Sequence, residues 1–281
     1  MWITLVVVFF AIAAFGSSVW WAGLNWNKNT ASLRRDLLAA PPPVARYQPE
    51  LLASLPAPVR RYLEQALSPG QPFIAAVLMA HTGSFNMGDG QPNWKSFSST
   101  QLSVTGRPGF DWDARITMAP ALPVFVRDAY IAGRGILAAS LLGLIPVAKP
   151  QSDDELARGE LMRFLAESPW YPTVLLPGQG VTWEDVSPTL ARATLRDGAV
   201  STTLDFYFSS DGMVERIFSP TRTRLNGKQR SLLPWQGRFW NYTTINGMRI
   251  PSQGEVAWLL PAGPAPYWRG TLHQASYSFG R

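Results

Sequence analysis

Gly159–Pro177, GELMRFLAESPWYPTVLLP, decides how the rest of the chain is read. At about 100° per residue, Ala157, Leu161, Phe164 and Leu165 fall on one helical face, with Glu160, Arg163 and Glu167 on the face beside it. Ser152 and Glu155 fit a capping box at the helix start, and Asp153 and Asp154 suit the positive end of its dipole. Pro169 and Pro172 forbid further helix. The stretch is one short amphipathic helix running into an aromatic, proline-stopped segment. Because the flanking sequence alternates with a period of two, this predicts a helix plugging a curved sheet, with Trp170 and Tyr171 at its mouth.

Upstream, Ala75–Met87, Lys95–Thr105, Phe110–Met118 and Val124–Ile131 read as strands, separated by turn clusters such as Gly88-Asp89-Gly90 and Gly106-Arg107-Pro108-Gly109. In the third strand Phe110, Trp112, Ala114 and Ile116 alternate with Asp111, Asp113, Arg115 and Thr117, so one face is buried and Trp112 is placed to line a cavity. Asp111, Asp113 and Asp128 are expected in turns or on strand surfaces. Ile136–Val147 fits a strand or a short helix equally well. Downstream, segments from Gly180 to Phe279 form a meander whose hairpin dipeptides are Asp197-Gly198, Asp211-Gly212 and Asn246-Gly247. The fold class is α+β, mainly antiparallel β: one large sheet, closed or half-closed, of roughly a dozen strands around one or two helices.

Trp2–Leu24 carries no charge, and roughly 20 apolar residues suffice to cross a hydrocarbon core. Trp20, Trp21 and Trp26 suit an interfacial belt, and nothing basic precedes the run as it would in a signal peptide. The expected division is 1–26 transmembrane anchor, 27–48 juxtamembrane connector ending in the stiff Pro41-Pro42-Pro43, and 49–281 a single β-rich domain. Pro49–Leu67 within that domain reads as a helix broken at Pro56. Lys28, Arg34 and Arg35 after the span favour a cytoplasmic domain by the positive-inside rule.

The net charge of +6 is uneven: Arg216–Arg281 holds nine Lys/Arg against Glu255 alone, a basic surface that suits solvated strand faces and protected edges first and contact with phosphates of lipid or nucleic acid second. With 0 cysteines there is no disulfide framework, thiolate site or cysteine nucleophile. His81 and His273 lie far apart on separate strands without metal-ligand spacing, so no metal and no cofactor are expected. Neither a nucleophile elbow nor a phosphate-binding loop is present, and no nucleic-acid partner is expected.

The strings FDWD (Phe110–Asp113), RDAYIAGRG (Arg127–Gly135), LLGLIPVA (Leu141–Ala148), GELMRFLAESPWYPTVLLP, PWQGRFWNY (Pro234–Tyr242), NGMRIP (Asn246–Pro251) and GEVAWLLPAGPAPYWRG (Gly254–Gly270) resemble a family of uncharacterised bacterial proteins with an N-terminal membrane anchor. That resemblance implies a bacterial inner-membrane, single-pass protein and brings no activity with it. The C-terminal pattern of a tryptophan-bearing strand, Tyr242, an Asn-Gly turn and Ile250-Pro251 resembles LolA-like carriers of lipoproteins and lipids. It implies a LolA-like curved half-barrel with helices in the concavity, and a periplasmic domain, against the charge bias.

The abundance of aromatics (12 Trp, 14 Phe and 8 Tyr) points to an apolar pocket. Trp112, Phe164, Trp170, Tyr171, Trp183, Trp235 and Trp268 are the expected lining, with Arg134, Arg238 and Arg269 as headgroup contacts. Glu160, Arg163 and Glu167 read as a helix-face salt network at i,i+3 and i,i+4 spacing. The function that follows is a membrane-anchored carrier sheltering a lipid or acyl chain. The alternatives are a hydrolase-type enzyme using Glu160 and Glu167, or a scaffold recruiting a protein partner.

Overall fold

The computed structural model describes residues 1–88, 91–151, 153–226 and 229–280. Asp89 and Gly90 of the first predicted turn and Ser152 of the capping box lie outside the described residues. Helix α1 spans Trp2–Leu38, a 3₁₀ turn spans Pro49–Leu52, and α2 spans Ala57–Ala66. Six strands follow: β1 Ile74–Asn86, β2 Trp94–Val104, β3 Gly109–Ala119, β4 Leu122–Ile131, β5 Arg134–Leu141 and β6 Ile145–Gln151. Helix α3, Asp154–Ala166, and two 3₁₀ turns, Ser168–Trp170 and Pro172–Leu175, separate these from seven more. Those are β7 Val181–Ser187, β8 Leu190–Asp197, β9 Val200–Phe208, β10 Val214–Asn226, β11 Gln229–Ile245, β12 Met248–Leu260 and β13 Gly263–Phe279.

The strands make one 13-stranded antiparallel sheet in the order β6-β5-β4-β3-β2-β1-β13-β12-β11-β10-β9-β8-β7. The chain meanders from the centre to one edge, crosses, and meanders back from the other edge until β13 pairs with β1. The crossing segment is α3 with its two turns. It touches β3, β4 and β5 on one wing and β9 and β10 on the other, so the sheet is curled around it as a half-barrel. Gly135 permits the closest approach: a Cβ there would lie 2.7 Å from the Leu156 backbone. Ala157, Leu161, Phe164 and Leu165 are all buried in that contact.

Several sequence expectations are refined. The α3 N-cap is Asp153, whose carboxylate accepts from the Leu156 amide at 2.8 Å. Ile136–Val147 is two strand segments joined at Leu142-Gly143, both with positive φ. Asn246 (φ 50°) and Gly247 (φ 77°) make the predicted hairpin turn between β11 and β12. Replacing Asp153 with alanine should cost about 1 kcal/mol. A urea-denaturation midpoint lowered accordingly would show it; an unchanged midpoint would mean the cap is redundant.

The largest departure concerns α1. Its 37 residues make a rod ~55 Å long, well beyond the ~30 Å of a hydrocarbon core. Residues 2–21 are exposed but for the half-buried Val19; from Ala22 onward a stripe of Ala22, Trp26, Thr30 and Leu37 is buried against the convex face of β2–β4. Residues expected as connector are therefore helical through Leu38, and Pro41-Pro42-Pro43 follows as the non-helical link. Asp111 and Asp113 are corrected with it, because they do not face solvent. Asp111 is 0% exposed and accepts from Arg34 Nε at 2.8 Å and Arg127 Nε at 3.1 Å. Asp113 accepts from Trp26 Nε1 at 2.9 Å and Thr30 Oγ1 at 2.8 Å. In FDWD the two aromatics point into the half-barrel while the two aspartates hold the helix outside it.

Candidate functional site

Two joined cavities open on the concave side of the sheet. The outer cleft, about 780 Å³, lies between the β1–β2, β10–β11 and β12–β13 hairpin ends and the N-terminal half of α3. Phe85, Trp94, Leu137, Leu156, Trp258 and Pro266 give it apolar walls. The inner slot, about 120 Å³, lies under α3 among Trp112, Trp170, Trp235, Phe239 and Trp268. Phe85, Asp128, Arg222 and Tyr267 line both.

The aromatic walls are fixed by hydrogen bonds as well as packing. Trp170 Nε1 donates to the Pro251 carbonyl at 2.9 Å, and Trp235 Nε1 donates to Tyr267 Oη at 2.9 Å. Each indole keeps its polar end satisfied while its ring faces the slot. Trp268 folds back over Gly270, where a Cβ would meet its ring at 2.3 Å.

Of the expected lining, Trp112, Trp170, Trp235 and Trp268 come together. Phe164 and Tyr171 do not reach the cavity: they pack on each other at 5.2 Å in solid core, with Tyr171 Oη donating to the Phe164 carbonyl. Trp183 sits on the far wing against Phe206, donating to the Leu175 carbonyl. The three arginines expected at a headgroup divide between the cavities and the outside. Arg134 is exposed at the start of β5, outside both cavities. Arg238 is exposed at the slot rim, and Arg269 lines the outer cleft with its Nε on Glu255 at 2.8 Å.

The salt network forms only in part. Arg163 binds Glu167 at 2.8 Å, but its second carboxylate is Asp128, at 2.7 Å, and Gln101 takes a third contact at 3.2 Å. Glu160 does not join: it is 6% exposed and its Oε2 has no hydrogen-bond partner among the described residues. Burial first, and Asp128 second, pushes its carboxyl up to about 8. Burial likewise raises Asp128, against the pull of Arg163. The sequence reading put Asp128 on a strand surface, whereas it faces inward onto Arg163, and it did not single out Arg222. Alternation in β4 was the available signal for the first, since Asp128 shares the inward side with Tyr130. The second follows a register shift between Ser219 and Arg222 that no sequence pattern marks.

His81 is buried at 4.9 Å from Trp170, and burial brings it down to about 3, so the ring is neutral. His273 lies on the exposed side, 2.5 Å from Thr82 Oγ1. Among the described residues no cluster of three His, Asp or Glu is placed to hold a metal.

Fold and cavity together define a class: an antiparallel half-barrel with an amphipathic cleft, carried behind an N-terminal helix long and apolar enough to cross a membrane. The chain belongs to the Family of unknown function (DUF6920), whose model matches residues 53–277. No curated protein matches the sequence. Among solved structures, a LolA superfamily protein from Nitrosomonas europaea is similar with a TM-score of 0.43 and 11% identity, over 79% of this chain and 94% of that one.

Proposed function

We propose that the protein is a membrane-anchored binding protein that shelters the apolar chain of a lipid or fatty acid in the cleft beneath α3, working by exchange rather than catalysis. The carrying observation is where the cleft opens. Antiparallel order puts the β1–β2, β3–β4, β5–β6 and β12–β13 turns at one end of their strands. The first and last of these rim the cleft, and α1 passes the β5–β6 turn at Ala22 before its exposed apolar stretch leaves. An anchor in the bilayer therefore brings the mouth toward the lipid surface. The cleft volume of about 780 Å³ lies in the range of small-molecule sites, ~300–1,000 Å³.

The enzymatic alternative through Glu160 and Glu167 has less support. Glu167 accepts from Arg163 on one oxygen and from Gln101 on the other, so it is tied into a structural ion pair instead of standing open toward the cleft. The reading includes sidedness: a domain exchanging lipid outside the inner membrane is periplasmic, against the charge bias of Lys28, Arg34 and Arg35. A C-terminal reporter fusion active only in the cytoplasm would overturn that part.

Native mass spectrometry after mild detergent extraction should find a co-purifying amphiphile. Gly159 lines the cleft with no atom within 4 Å of a built Cβ, so Gly159→Phe fills the opening without a backbone clash. Removing a helical glycine should keep or raise the melting temperature. Bound amphiphile should fall by about tenfold or more, as expected when a pocket is occupied by its own side chain. Equal occupancy in the variant would remove the cleft as the site.

A further inference from the structure

Three buried polar atoms without a hydrogen-bond partner among the described residues meet at the throat of the cleft: Asp128 Oδ1, Glu160 Oε2 and Arg222 Nη1. Buried polar atoms are almost always paired, and each one left open costs about 1–3 kcal/mol. Loose packing is not the cause here. Arg163, on the same helix, has partners in Asp128, Glu167 and Gln101. The Arg222 guanidinium is held over the Trp235 ring at 4.6 Å. Glu160 is more than nine-tenths buried.

The charges facing this throat come from every wall. α3 brings Glu160, Arg163 and Glu167, β4 brings Asp128, and β10 brings Arg222, while the exposed Arg238 of β11 and the Glu255–Arg269 pair of β12 and β13 stand at the rim. Arg224, Arg230, Asp153 and Glu155 lie in the outer cleft, where Arg230 pairs with Asp153 and Glu155. At neutral pH Glu160 keeps its proton, since burial moves it to about 8. Asp128 and Glu167 then balance Arg163 and Arg222. A charged head would leave a net charge in a buried site, which is strongly unfavourable. Arg222 can only donate and ionised Asp128 can only accept, so the complementary group must do both. Hydroxyls do both without charge.

Resting on the binding reading above, we infer that Asp128, Glu160 and Arg222 form a site for the uncharged, hydroxyl-bearing head of an amphiphile, such as a glycerol or sugar ester, whose tail lies along the apolar outer cleft. The head enters first, because the mouth meets the polar layer of the bilayer before its hydrocarbon. The inner slot beyond the throat is too small, at about 120 Å³, for a long chain.

The test uses the full chain in nanodiscs, titrated with 1-monooleoylglycerol, methyl oleate and oleate at pH 7, with tryptophan fluorescence as readout. Monooleoylglycerol should bind about tenfold tighter than either of the others, which is what one or two satisfied buried polar groups contribute. The apolar Glu160→Met and Arg222→Met, which remove the donors and acceptors, should each bring the ratio of monooleoylglycerol to methyl oleate affinity toward one. A preference for oleate, or a ratio unmoved in both variants, overturns the head site and leaves the apolar cleft standing. Failure of all three probes to bind overturns the binding reading itself. Should Arg222→Met fail to fold, Glu160→Met and the probe ranking of the unaltered protein still decide.

Discussion

Asp111→Ala is expected to lower the stability of the domain by about 3–5 kcal/mol, because it strips the shared counter-ion from two guanidiniums beneath α1. The carboxylate is 0% exposed and holds Arg34 on one oxygen and Arg127 on the other. Burial pushes the Asp111 carboxyl up against the pull of both arginines, so the group is held at a cost that only its partners offset. Arg127 also reaches Thr30 and the Trp26 carbonyl, and its guanidinium lies 4.6 Å from the Trp26 ring. One deletion thus loosens a helix and a strand together. Chemical denaturation of the full chain in detergent should show the loss, and limited proteolysis should cut at the link after Leu38 in the variant first. The combination Arg34→Met, Asp111→Leu and Arg127→Met should recover most of it, since a buried ionic group replaced whole by apolar side chains is often neutral. An Asp111→Ala protein with unchanged midpoint and unchanged cleavage would show that the second half of α1 is not docked.

That seam marks where the sequence stopped being readable. The alternation of Phe110, Asp111, Trp112 and Asp113 identified a strand with one buried face and put the right residues inward. It gave no sign that the other face is also covered, because the covering helix, NWNKNTASLRRDLL, docks by polar contacts and carries little apolar periodicity. The cleft divides in the same way. Aromatic content announced a pocket, and Trp112, Trp170, Trp235 and Trp268 do meet there. Periodicity cannot separate a ring lining a void from one filling core, so Phe164 and Tyr171 went to the wrong class. Helical spacing paired Glu160 with Arg163, whereas the curl of the sheet brought Asp128 across to take that place. Contacts between remote strands depend on curvature, which local pattern does not encode.

Glu160 supplies the second large effect, and its sign is opposite to that of an ordinary salt-bridged acid. In the unfolded chain the carboxyl loses its proton near 4.5, while in the folded protein it keeps it up to about 8. Between those values the unfolded state binds fewer protons, so stability is full below pH ~4.5 and falls as pH rises through the folded value. At ~1.4 kcal/mol per pH unit the loss is on the order of 4–5 kcal/mol by pH 8. Asp128, also raised by burial, adds a slope of the same sign, and His81, neutral in the fold, adds one of opposite sign on the acid side. The difference between the protein and Glu160→Gln cancels both to first order. Urea midpoints measured from pH 5 to pH 9 should fall steeply for the unaltered chain and much less for Glu160→Gln, with the variant the more stable of the two above pH 7. Parallel curves would mean that the carboxyl ionises freely in the folded protein. The throat of the cleft would then carry a net negative charge at neutral pH, and its selectivity would have to favour cations instead of hydroxyls.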